Sequence, residues 1–151
     1  MRRRQKKLLA LASGGGHWVQ LLRLRPAFDG CAISYATVQA ASASDVGNAP
    51  LYVFHDSSRR DWWNFAIAAV QVSIIVLRVR PNVLVTTGAM PPLAALLVAR
   101  LIGARTLWVD SIANSEKMSG SGGLARRIAN RTITQWPALA TLTTPYWGSV
   151  L

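Results

Sequence analysis

Apolar residues in this chain fall in short continuous runs rather than in alternating patterns, and no other feature limits the fold so strongly. Lys7 to Ala12, Cys31 to Ala36, Leu51 to Phe54, Val83 to Thr87 and Arg105 to Val109 each read as a strand that is apolar on both sides. Such strands need cover on both faces, which a parallel sheet between two helical layers provides. Helical segments fall between them: His17 to Leu24, ending before Pro26; Trp62 to Leu77; Leu93 to Ile102, opened by Pro91-Pro92 and closed by Gly103; and Leu124 to Ala129. Thr132 to Gln135 reads as a sixth strand and Ala140 to Thr144 as a seventh, while Gln39 to Asn48 reads as a loop. This alternation predicts an α/β, doubly wound, mostly parallel Rossmann-like sheet. The 151 residues suffice for one domain with a true core, residues 1–7 forming a basic tail.

In an open parallel sheet, ligands bind beyond the carboxyl ends of the strands. Three small-residue loops fall at such ends: Ser13-Gly14-Gly15-Gly16-His17, Thr87-Gly88 to Pro91, and Ser119-Gly-Ser121-Gly122-Gly123. Glycine lets backbone amides approach a ligand, and a helix N-terminus favours an anion. Taken singly, each loop equally suits a tight strand-to-helix turn. The strand ending at Val109 also delivers Asp110 and Ser111, and the next ends at Gln135-Trp136-Pro137.

Competing anion motifs fail. A dinucleotide fingerprint needs glycine where Val19 stands and an acid near Ala36 or Thr37. No Gly-Lys-Ser/Thr triplet occurs, and a nucleophile elbow centred on Ser121 would need glycine in place of Ser119. His17 and His55 are the only histidines and have no metal-ligand spacing, so neither a metal nor another cofactor is expected. Cys31, the single cysteine, excludes an internal disulfide and reads as a small core residue in a reducing compartment.

The formal net charge is +11, from 17 Lys and Arg against 6 acids. Such a balance suits acidic partners, among them pyrophosphate and anionic lipid. No interleaving of basic and aromatic residues supports nucleic-acid binding. Arg2 to Lys7 reads as a surface-seeking or merely solubilising tail. Trp62 to Leu77 is uncharged but falls short of the ~20 residues that span a bilayer. With Trp62, Trp63, Arg59 and Arg60 at one end, it reads as an interfacial helix or as an ordinary crossover helix.

A family resemblance rests on Ser13-Gly-Gly-Gly-His17, Arg80-Pro-Asn-Val83 with Thr87-Gly88, Asp110-Ser-Ile-Ala113, Ser119 to Leu124 and Thr134-Gln-Trp-Pro137. In these pieces the chain resembles the acceptor-side, membrane-associated subunit of the two-part glycosyltransferase that adds the second N-acetylglucosamine to dolichol-pyrophosphate-linked sugar. It is more similar still to the bacterial relatives in exopolysaccharide and capsule assembly. Asp110 stands where many relatives have Glu, and Gly123 where many have Lys or Arg. The eukaryotic members start with a membrane-spanning helix, which this chain is read as lacking.

The resemblance implies the N-terminal half of a GT-B glycosyltransferase, inactive alone, whose donor-binding half is a separate chain. It implies a lipid-pyrophosphate-linked sugar acceptor, a nucleotide sugar brought by the partner, and a place on the cytoplasmic face of a membrane, peripheral or monotopic. Ser13, Gly14, Gly15, Gly16, Thr87, Gly88, Ser111, Ser119, Ser121 and Gly122 are then candidates for holding acceptor pyrophosphate. Inverting transfer needs a base for the acceptor hydroxyl. His17 and Asp110 are the candidates, His17 alternatively capping its helix or binding phosphate, Asp110 alternatively capping a helix or holding a loop. Gln135, Trp136 and Trp147 are candidates for partner or sugar contact. A non-catalytic scaffold that activates its partner, and a basic nucleotide-binding module, are the alternative functions.

Overall fold

The computed structural model describes residues 5–57 and 61–150. Arg2, Arg3, Arg4, Arg59 and Arg60, which carry much of the expected membrane-seeking charge, lie outside the described residues.

Six parallel strands form one sheet in the order β3-β2-β1-β4-β5-β6. They are β1 (Lys7–Leu11), β2 (Ala32–Thr37), β3 (Leu51–Val53), β4 (Val83–Thr86), β5 (Arg105–Val109) and β6 (Arg131–Ile133). The connecting helices are α1 (Gly16–Arg23), α2 (Ala43–Val46), α3 (Trp62–Val79), α4 (Pro92–Leu101) and α5 (Gly120–Ile128). The chain starts at the sheet centre, builds outward to β3, and returns through α3 to begin the other half at β4. The strand order therefore reverses between β1 and β4, where a parallel sheet opens a crevice. Register across that junction pairs Leu9 with Leu84 and Leu11 with Thr86.

Two apolar layers explain the unbroken strand pattern. On one face Leu9, Leu11, Leu84 and Trp108 pack with Val72 and Val76 of α3, Leu96 of α4 and Ala125 of α5. On the other, Leu8, Ala10, Val85, Val109 and Ile133 pack with Trp18 and Leu21 of α1 and with Phe28. Cys31 is half-buried against this second layer rather than fully enclosed.

The expected fold class holds, with three local corrections. Helix α5 begins at Gly120, so most of the supposed third loop is its first turn. Ser119 makes this possible by accepting the Gly122 amide at 2.9 Å, which caps a glycine-rich start that propensity alone disfavours. Ala140–Thr144 forms no strand: Thr141 Oγ1 accepts the Thr144 amide at 3.0 Å, and this local bond closes a turn instead. Among the described residues the edge is continued only by a single parallel bridge between Thr134 and Tyr146. Within the expected loop Gln39 to Asn48, residues Ala43–Val46 make a short helix.

Helix α3 is two-sided. Ala68, Val72, Ile75, Val76 and Val79 are buried against the sheet and α4. Trp63, Ile67, Val70, Ile74 and Leu77 are exposed at alternating spacings of four and three residues, which places them along one outer stripe. Leu97, Leu101 and Ile102 are exposed on the same helical layer. The helix runs on to Val79, so against the shorter span read from sequence α3 is long and apolar enough to cross a membrane, yet in this fold its inner face is core.

Candidate functional site

Three elements converge beyond the carboxyl ends of β1, β4 and β5: the N-terminus of α1, the turn between β4 and α4, and the N-terminus of α5. Between them lies a cavity of about 620 Å³ that includes His17, Ala89, Gly120 and Ser121, with Trp62, Phe65, Met90 and Leu124 supplying apolar wall. A neighbouring cleft of about 210 Å³ is bordered by His17, Gly88, Ala89, Asp110, Ser111 and Ser121, among others. His17, Ala89 and Ser121 border both.

Asp110 is 2 % exposed and receives four hydrogen bonds. Its Oδ1 accepts from Trp108 Nε1 at 3.1 Å and Ser119 Oγ at 2.6 Å; its Oδ2 accepts from the Ser119 amide at 3.0 Å and Asn114 Nδ2 at 3.3 Å. The side chain thus ties the end of β5 to the start of α5. A Cβ at Gly122 would stand 2.6 Å from Oδ1, so this glycine makes room for the carboxylate rather than for a ligand. Of the two readings of Asp110, the geometry favours the loop anchor, because all its strong acceptor directions are occupied.

His17 is half-buried at the start of α1, and its Nδ1 lies 3.0 Å from the Thr87 carbonyl oxygen. Thr87 Oγ1 donates back to the His17 carbonyl at 2.7 Å. Thr87 is fully buried, and a Cβ on Gly88 would meet the imidazole Cε1 at 2.6 Å. Both residues of this turn, expected as pyrophosphate ligands, face the histidine; Gly88 also borders the smaller cleft. Backbone strain is concentrated here: φ is 136° at Gly88 and 80° at Ala89, a conformation that costs an alanine about 1–2 kcal/mol.

Ser121 differs from its neighbours. It is 2 % exposed, and its Oγ has no hydrogen-bond partner although it borders both cavities at the N-terminus of α5. Ser13, Gly14, Gly15 and Gly16 form the tip of the first loop without lining either cavity. Gly15 and Gly16 are exposed there, whereas a Cβ on Gly14 would press on Val38 at 3.2 Å.

The Gln135-Trp136 piece turns inward. Gln135, 3 % exposed, donates from Nε2 to the Asp110 carbonyl at 2.9 Å and to Gln20 Oε1 at 2.8 Å. Trp136 Nε1 donates to the Ile112 carbonyl at 2.7 Å. Both therefore hold the loop after β5, and Gln135 is too enclosed for the partner contact expected of it. Gln20, which sequence reading missed, completes the set by accepting the Ile112 amide at 3.1 Å and donating to Ser111 Oγ at 3.2 Å. Its only sequence signal was a polar residue on the inward face of an amphipathic helix. Trp147 is 62 % exposed and borders a different cleft with Arg105 and Arg131, away from His17. Among the described residues no cluster of three or more metal-binding side chains occurs.

No protein-family model matches the chain, and no curated protein matches it by sequence. Solved structures do. MurG from Acinetobacter baumannii superposes with a TM-score of 0.76 over 97% of this chain and 46% of its own, at 15% identity. A UDP-N-acetylglucosamine 2-epimerase from Rickettsia bellii gives 0.72, 97%, 46% and 12% in the same order. A glycosyltransferase from Rickettsia africae gives 0.62, 88%, 37% and 10%. The chain therefore has the Rossmann-like N-terminal half of a GT-B fold and spans less than half the length of these structures.

Proposed function

We propose that this chain is the acceptor-binding, membrane-side half of a two-chain glycosyltransferase. It holds a sugar linked through pyrophosphate to a polyprenyl or dolichol lipid, while a separate donor-binding chain brings the nucleotide diphosphate sugar. Activity requires both chains.

The observation that carries the reading is the make-up of the larger cavity. Its polar end has His17 and Ser121, the latter at a helix N-terminus with a buried, unpartnered hydroxyl, a setting suited to phosphate oxygens. Its apolar end includes Trp62, beside Trp63 and the exposed stripe of α3, with the two indoles stacked at 4.0 Å. A ligand with an anionic head and a hydrocarbon tail matches that polarity. Indoles and aliphatic side chains on one outer face suit the edge of a bilayer. The full occupation of Asp110 lends some support to the scaffold alternative, since it leaves one candidate base rather than two.

The test is co-sedimentation of the chain with zwitterionic vesicles, with and without polyprenyl-pyrophosphate-linked N-acetylglucosamine. Retention should rise with the acceptor lipid. Ser121→Ala should reduce that increment and leave the melting temperature unchanged, because the lost hydroxyl has no partner inside the protein. Equal retention on both vesicle types would overturn the acceptor-binding role.

A further inference from the structure

We infer that the Thr87-Gly88 turn positions His17, fixing its neutral imidazole with the proton on Nδ1 and leaving Nε2 as the atom that takes the acceptor proton. The inference rests on the acceptor-binding reading for its chemistry, and on the geometry alone for the tautomer.

A carbonyl oxygen can only accept, so the 3.0 Å contact between Nδ1 and the Thr87 oxygen requires a hydrogen on Nδ1. In the neutral ring the second nitrogen then carries a lone pair. The return bond from Thr87 Oγ1 to the His17 carbonyl joins the same two residues at a second point, so α1 and the turn after β4 cannot slide independently. Gly88 closes the arrangement: its φ of 136° turns the chain beneath the ring, and the hypothetical Cβ at 2.6 Å leaves no room for a side chain. Strain at Ala89 belongs to the same turn.

A carboxylate often orients a catalytic histidine, and Asp110 borders the same cleft. Among the described residues it is the only other titratable one bordering either cavity, and its bonds go to Trp108, Asn114 and Ser119. The backbone carbonyl of Thr87 fills the orienting role instead. In the transfer step Nε2 accepts the proton of the acceptor hydroxyl as that oxygen bonds the anomeric carbon. The bond from that carbon to the nucleoside diphosphate breaks, and the diphosphate leaves with its electron pair. The proton on Nε2 then passes to solvent.

The experiment is long-range proton–nitrogen correlation NMR on the uniformly labelled full chain, whose two histidines are assigned by His55→Ala. At a pH where both rings are neutral, His17 should show a protonated Nδ1 and an unprotonated Nε2. Exposed His55 should show the averaged pattern of a free imidazole. Gly88→Ala should push the ring off the carbonyl and give His17 the averaged pattern, whereas Thr87→Ser should keep the wild-type one. If Gly88→Ala does not fold, the wild-type tautomer carries the test by itself, since it is read without any substitution in the turn. A proton on Nε2, averaging in the wild-type chain, or an ordered Nδ1–H tautomer persisting in the glycine variant would overturn the inference. No lipid or donor enters this measurement, so its failure leaves the vesicle result standing, and the reverse is equally true.

Discussion

Asp110→Asn offers the most direct test of how the site is held together. The substitution keeps size and shape but replaces one acceptor oxygen by an NH2 group. Each oxygen now receives two donors, including the fixed Trp108 Nε1–H on one side and the fixed Ser119 amide on the other. Whichever way the amide is turned, at least one rigid N–H faces another donor; the Ser119 hydroxyl can turn to accept from the new NH2 group, so at least one bond is lost outright. A bond to a buried charged acceptor is worth about 1.5–3 kcal/mol, so the loss should be at least about 1.5 kcal/mol. With Asp110 2 % exposed, water cannot replace the missing partners. For a domain of this size that corresponds to a fall in melting temperature of at least roughly 3–6 °C. Thermal unfolding followed by circular dichroism reads it directly, with exposed Asp56→Asn as a control expected within about 0.5 kcal/mol of wild type. Hydrogen exchange at the Ser119 amide should accelerate in Asp110→Asn alone. If Asp110→Asn melts with the control, the carboxylate is not the anchor, and its role as a base regains the ground.

Other substitutions probe the remaining links. Gln20→Leu removes the acceptor of the Ile112 amide and of Gln135 Nε2, and should cost about 1–3 kcal/mol in urea unfolding despite adding apolar bulk. Leu96→Ala, at a fully buried position of α4, should cost about 2–5 kcal/mol by the same measurement. A Cβ at Gly15 meets no atom within 4 Å, but a β-branched residue there must hold φ 64° and ψ −137°, so Gly15→Val should lose about 1–3 kcal/mol through backbone strain. Trp63→Ser with Ile74→Ser, 65 % and 54 % exposed, should leave the melting temperature within 2 °C or so while reducing salt-insensitive binding to vesicles; unchanged binding would remove the α3 stripe from the membrane proposal.

Much of the fold could be read locally. Runs such as Leu8 to Ala12 carry their own evidence of double burial, because a half-exposed strand would have shown alternation. Proline and glycine marked both ends of α4 for reasons confined to a few residues. The start of α5 misled because glycines read as loop, while the helix is held open by one cap and by a carboxylate nine residues earlier. The glycine loops, His17, Asp110 and Ser121 were also visible as candidates, since sequence alone puts them at the carboxyl ends of strands or the helix starts that follow.

Roles within the site were another matter, because they depend on bonds between residues far apart in the chain. The His17–Thr87 pair spans 70 positions, the Gln20–Ile112 bond 92, and the Gln20–Gln135 bond 115. Nothing in the neighbourhood of Thr87 says that its carbonyl will meet an imidazole rather than a ligand, and nothing around Gln135 says that its amide points inward. The same holds for α3, whose uncharged sequence does not say which face is core: only packing against the sheet and α4 buried Val72 and Val76 and left Trp63 and Ile67 exposed. Hydrophobic pattern specifies which elements form, since burial acts residue by residue. Hydrogen-bond partners and outward faces are chosen only when the sheet order brings β1, β4 and β5 side by side.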